Sequence, residues 1–128
     1  MEVIDEILER LEWLKGVKGS YDLVNISRKL DEIGILLVTL GTHVTDAYEA
    51  VSEAEDDYDI AFAKRFSELC KEKSAASAKP QVEAELDEKK RTLTKHKINY
   101  KKLNTFLERC DKVIETHRQS LSILKKEK

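Results

Sequence analysis

Proline occurs once and glycine four times in 128 residues, and aromatic residues make up only 6%. Inside a helix glycine costs about 1 kcal/mol and proline about 3 kcal/mol relative to alanine, so chains built from long helices keep both scarce. The shortage argues against an architecture of short strands and tight turns. Cysteine is also sparse. Cys70 and Cys110 form no CxxC motif and have no metal-ligand spacing to a histidine, so the expectation is two free thiols in a reducing compartment. His43, His96 and His117 lie far apart in the chain, and a zinc site needs four ligands, so no metal is expected. There is no glycine-rich phosphate loop, no HExxH and no nucleophile motif. Neither a catalytic residue nor a cofactor is expected, and the chain does not read as an enzyme. The longest apolar run, Ile33 to Leu40, is far shorter than the roughly 20 residues that span a bilayer. The start, Met1 to Glu6, is acidic and amphipathic, unlike a signal peptide. These absences lead to the expectation of a cytoplasmic protein with no membrane partner.

What is present is charge and heptad spacing. Charged residues are 38% and hydrophobic residues 41% of the chain, a balance typical of long helices and coiled coils. Ile4, Ile7, Leu8, Leu11 and Leu14 mark one face of a short N-terminal helix over 1–16, which closes on the turn signal Gly16-Val17-Lys18-Gly19. Ser20 is the expected N-cap of a long helix over 20–73. In it Leu23, Ile26, Leu30, Ile33, Leu37, Leu40, Val44, Ala47, Val51, Ala54, Tyr58 and Ala61 follow one another at steps of three and four, without a charge among them. The next positions would be Arg65 and Glu68, so the apolar stripe moves to Phe62, Phe66 and Leu69, a stutter. The small, polar stretch 74–80 ends in Pro80 and reads as a turn. A second long helix over 81–127 repeats the spacing with Leu86, Leu93, Tyr100, Leu103, Leu107, Cys110, Ile114, Leu121 and Leu124, interrupted by Lys89, His96 and His117. The expected fold is therefore all-α: one domain over 1–128, a long antiparallel helical hairpin of coiled-coil type with a short N-terminal helix, assembled into an oligomer.

Charge is divided along the chain. Residues 1–80 hold ten basic and seventeen acidic residues, net −7, whereas residues 81–128 hold thirteen and eight, net +5. No Lys or Arg occurs in 30–63 and no Asp or Glu in 89–107. A turn centred near Ser77 sets residues 46–59 opposite 95–108, acids against bases, with Tyr58 facing His96 and His43 near Cys110. Lys95, Lys97, Lys101 and Lys102 then read as a solvated face balanced by the acidic helix. Beside the turn, Lys64 and Arg65 should lie opposite Lys89, Lys90 and Arg91 with nothing acidic across the seam, and Phe62 and Phe66 flank them. A basic cluster with interleaved aromatics can hold phosphates and stack bases, while the plainer reading is an exposed patch over two core phenylalanines. A two-helix hairpin also cannot enclose every apolar residue. Ile4, Ile7, Leu11, Trp13, Ile35, Leu36, Val38 and Ile123 are left over and point to a homo-oligomer formed at the end away from the turn.

A short N-terminal segment, a long helix ending in a small basic box, a polar turn and a second long helix resemble the UvsY-type recombination mediators of large tailed phages. The box of that family resembles Leu-Lys-Ala-Arg-x-x-Tyr. Here the stretch is Phe62-Ala63-Lys64-Arg65-Phe66-Ser67-Glu68, with Arg65 matching, the lysine displaced to Lys64 and Glu68 at the tyrosine position. Phe106-Leu107 before Cys110, then Val113-Ile114, is similar to an apolar stretch in the family's last helix. The resemblance implies a ring-like homo-oligomer that binds single-stranded DNA, displaces single-strand binding protein and loads a RecA-like recombinase. It would place Lys64 and Arg65 on DNA phosphates, supported by Lys89, Lys90 and Arg91, with Phe62 and Phe66 positioning the box or stacking. The alternative is a structural coiled coil, either a scaffold or adaptor subunit or a holdase-like hairpin.

Overall fold

The computed structural model describes residues 1–16 and 23–127, and of residues 124, 125 and 127 the backbone alone. The protein is all-helical, with no strand among the described residues. Helix α1 spans Glu2–Gly16, α2 Leu23–Leu69, α3 Ala75–Glu85 and α4 Asp87–Glu127. The expected cap Ser20, the turn after Gly16 and the core position Leu124 lie outside what is described. The chain divides into two compact units: Met1–Val44 with Leu103–Lys128, and Thr45–Lys102.

The first unit holds α1, the first half of α2 and the second half of α4. The heptad positions Ile26, Leu30, Ile33, Leu37, Leu40 and Val44 are buried, together with Leu103, Cys110, Ile114 and Leu121 from α4. Helix α1 adds Val3, Ile7 and Leu14 to the same interior. An ion pair between Arg10 Nε and Glu32 Oε2 at 3.2 Å ties α1 to α2, and Lys29 Nζ lies 5.5 Å from the Trp13 ring centroid. Burial pushes the Cys110 thiol pKa up, and neighbouring Asp111 adds to the shift.

In the second unit two expectations are corrected. The segment 74–80 is not the turn. The chain turns at 70–74, and Ala75–Glu85 is helical with Pro80 inside it. The cause is local chemistry. Ser74 is extended and its Oγ accepts a hydrogen bond from the backbone N–H of Ser77 at 3.3 Å, an N-cap ahead of an alanine-rich start. The long helix accordingly ends at Leu69 rather than 73, where the N–H of Lys73 bonds the Leu69 carbonyl at 2.8 Å. The second correction is that 81–127 is not one helix. Leu86, at φ −100° and ψ 16°, separates α3 from α4, although Leu86 N–H still reaches the Val82 carbonyl and Lys90 N–H the Leu86 carbonyl, both at 3.0 Å. Leu69, Ala78 and Val82 form a small buried cluster, with Phe62, Phe66 and Leu86 packed against it. The stutter places Phe62, Phe66 and Leu69 on that inward face. In α4, Thr92, Thr94 and Thr116 donate to the carbonyls four residues earlier, so their hydroxyls add no demand on the seam.

Candidate nucleic-acid interface

The basic residues beside the turn lie in the second unit, on the last turns of α2 and the first turns of α4. Their charges are not equally free. Arg65 holds Glu85 with two bonds, Nε to Oε2 at 2.6 Å and Nη2 to Oε1 at 3.2 Å, and its Nη1 reaches Glu68 Oε2 at 3.2 Å. Such forked pairing is the strongest form of the arginine–carboxylate contact. Gln81 Nε2 adds a bond to Glu85 Oε1 at 3.1 Å. The Arg65 guanidinium, and after it the Gln81 amide, hold the Glu85 carboxyl down at about 2, while Glu85 and then Glu68 raise the pKa of Arg65. Lys73 also bonds Gln81. The expectation that nothing acidic faces Arg65 is therefore corrected. Glu85 does, because α3 starts early enough to bring it there. Arg91 is likewise paired, Nε to Asp87 Oδ2 at 2.9 Å along the first turn of α4.

Three cations remain. Lys64 and Lys89 are exposed and have no acidic partner among the described residues. Lys90 Nζ lies 5.0 Å from the centroid of the Tyr58 ring, a cation–π contact. The aromatic rings form a column on α2: Tyr58 and Phe62 at 6.0 Å, then Phe62 and Phe66 stacked at 5.8 Å with 16° between planes. Phe62 and Phe66 are half-buried against the Leu69–Ala78–Val82 cluster, so one side of each is structural. Sequence reasoning missed Glu85, Gln81 and Tyr58 as members of this end. The signal was the Ser74 cap, which moves the turn toward lower numbers and brings Glu85 opposite Arg65.

The same displacement changes the seam. Tyr58 meets Lys90 rather than His96, Tyr48 meets Tyr100 at 5.5 Å, and Glu55 Oε1 meets Lys97 Nζ at 3.4 Å. Partner numbers fall from 100 to 85 as α2 numbers rise from 48 to 65. Among the described residues the expected acid–base seam over 46–59 contributes that single ion pair. Lys95, Lys97, Lys101 and Lys102 are all exposed, and of the four only Lys97 has an acidic partner among the described residues.

In the first unit the candidate self-association residues separate. Ile7 is fully buried within the protomer and is removed from the set. Ile4, Leu11 and Leu36 are half-buried. Trp13 and Ile123 are exposed, and Ile35 and Val38 keep 70% and 74% of their surface in solvent. Ile35 and Val38 line a groove with Gly34, Leu107, Ile114 and Arg118. Among the described residues no group of three or more His, Cys, Asp or Glu is placed to hold a metal ion, and no described helix is long and apolar enough to cross a membrane. No family model, no curated protein and no solved structure matches the chain.

Proposed function

We propose that this protein is a non-enzymatic recombination mediator. Its turn end holds single-stranded DNA and helps a RecA-like recombinase replace single-strand binding protein in the cytoplasm of a phage-infected host. The observation that carries the reading is the trio Lys64, Lys89 and Lys90, left without acidic partners beside the aromatic column Tyr58–Phe62–Phe66. Lysines supply sequence-independent phosphate contacts, and aromatic rings beside them can stack unpaired bases. The reading takes the chain to be a long antiparallel hairpin of α2 against α3 and α4. The falling order of partners from Tyr48–Tyr100 to Arg65–Glu85 supports this. The exposed Ile35, Val38 and Ile123 support assembly into a homo-oligomer.

The test is fluorescence anisotropy of a labelled oligo-dT titrated across salt. Three phosphate contacts on a single strand give a slope of log K against log salt of about −2, and Lys64→Ala with Lys89→Ala should bring it to about −0.7. Arg65 is the wrong residue to mutate for this purpose, because it fastens Glu85. A second reading, a scaffold or adaptor hairpin, is favoured by that Arg65–Glu85–Glu68 cluster and by the packing of Phe62 and Phe66. It predicts no salt-dependent binding and indifference to the lysine substitutions.

A further inference from the structure

The outward faces of the second unit carry opposite charge. On α2, Asp46, Glu49, Glu53 and Asp56 recur at helical spacing, two residues out of step with the seam positions Val44, Ala47, Val51 and Ala54. They therefore stand on the far side of the helix from the seam, and Asp57 stands at its flank, one residue before Tyr58. All five are exposed and none has a basic partner among the described residues. Ile60, on the same face, is 68% exposed. On α4, Arg91, Lys95, Ile98 and Lys102 with Lys101 recur in the same way, out of step with the seam positions Leu93, His96 and Tyr100. No acid lies between Glu88 and Glu108, and Ile98 in the middle of this face is 51% exposed. From 46 to 57 and from 91 to 102 each strip runs about 16 Å at 1.5 Å per residue.

We infer that these two faces dock on each other between copies of the chain, the acidic back of α2 in one copy against the basic back of α4 in the next. The strips match in length and in sign, and each carries an exposed isoleucine. The five carboxylates, and Lys95, Lys101 and Lys102, have no oppositely charged partner among the described residues, while Arg91 pairs with Asp87 on its own helix. Such a contact joins two different surfaces, so it is head-to-tail. Repetition closes a ring if the rotation permits and otherwise extends a filament. The contact is distinct from the apolar surface around Ile35 and Val38, and it leaves Lys64 and Lys89 to the turn end. It also does not depend on DNA binding.

Sedimentation velocity of the full chain at low and high salt tests the inference. The assembly should shrink as salt rises, with apparent association falling about tenfold or more between 0.05 and 0.5 M, because salt screens exposed charges. Glu49→Lys with Glu53→Lys should abolish the salt-sensitive assembly, as should Lys95→Glu with Lys102→Glu, each with unchanged helical circular dichroism. Mixing the two variants should restore pairwise association, since the first keeps the basic back of α4 and the second keeps the acidic back of α2. Assembly indifferent to salt and to both variants would overturn the inference, as would a monomer at every salt concentration. Loss of oligo-dT binding by the Lys95→Glu, Lys102→Glu chain with its assembly intact would overturn it too, and would make the basic strip a nucleic-acid surface.

Discussion

Helix α2 carries one three-and-four spacing of apolar residues through both units, yet the stripe is sealed in one and half-open in the other. In the first unit it is made of Ile26, Leu30, Ile33, Leu37 and Leu40, all buried. In the second, Val51, Ala54, Tyr58 and Ala61 are only half-buried. Two physical differences account for this. Two of the four second-unit residues are alanines, Ala54 and Ala61, and the first unit has α1, which adds the buried Val3, Ile7 and Leu14. Two helices alone leave the flanks of their seam in water. Besides the buried Ala47 and Leu93 and the Leu69–Ala78–Val82 cluster, the second unit has contacts at its edges: Tyr48 on Tyr100, Glu55 with Lys97, Lys90 over Tyr58, Arg65 with Glu85. A heptad pattern thus fixes which side faces inward, while side-chain size and the number of layers decide how dry that side becomes.

This contrast has consequences for stability, which urea unfolding measures. Leu40→Ala, in the first unit, should cost about 2–5 kcal/mol, because the sealed interior cannot fully collapse onto the void. Val51→Ala, at a core heptad position of the second unit, should cost about 1 kcal/mol or less, since that side chain is already partly hydrated. Equal losses would break the comparison. The next effect has the opposite sign. Pro80 lies inside α3 and cannot donate to the Ala76 carbonyl, so Pro80→Ala should stabilise the protein by about 1–3 kcal/mol. No gain would mean that α3 is not helical through Pro80.

A smaller effect separates the units by pH. The Glu85 carboxyl titrates at about 2 in the folded protein, against 4.5 for a free side chain, because Arg65 and Gln81 bond its charged form. A depressed carboxyl contributes stability that is present above its unfolded pKa and is lost as pH falls from about 4.5 toward 2. Glu85→Gln should therefore lower the thermal midpoint modestly at pH 7 and converge with the unmodified chain near pH 2. Pairing is exposed to solvent here, so the difference at pH 7 should also shrink with added salt. A constant difference across pH would remove Glu85 from the turn end.

The class of fold and the inward faces of the helices were legible in the sequence because they depend on spacing alone. Leu30, Ile33 and Leu40 on α2 and Leu93, Leu103, Cys110 and Ile114 on α4 are buried where the heptads put them. Which residues meet across the seam was not legible to the same degree. It depends on where the chain turns, and a proline after a run of small residues reads as a turn when a serine cap has already started the helix. The error of a few residues moved Glu85 onto Arg65 and Lys90 onto Tyr58. At the candidate site the basic residues were identified by type, but the neutralisation of Arg65 by Glu85 was not, because it depends on that register, whereas Glu68 and Asp87 pair along their own helices.

The proposed chain reversal, with α2 and α4 running in opposite directions in one molecule, underlies the turn-end site and the two charged backs alike. Cysteines placed at Glu55 and Lys97, in a chain carrying Cys70→Ser and Cys110→Ala, test it directly with a short bismaleimide cross-linker. Within-chain cross-linking at high dilution is the expected result, as these side chains meet at 3.4 Å. Cross-links that form only between chains, or that favour positions 58 and 96 over 55 and 97, would contradict it.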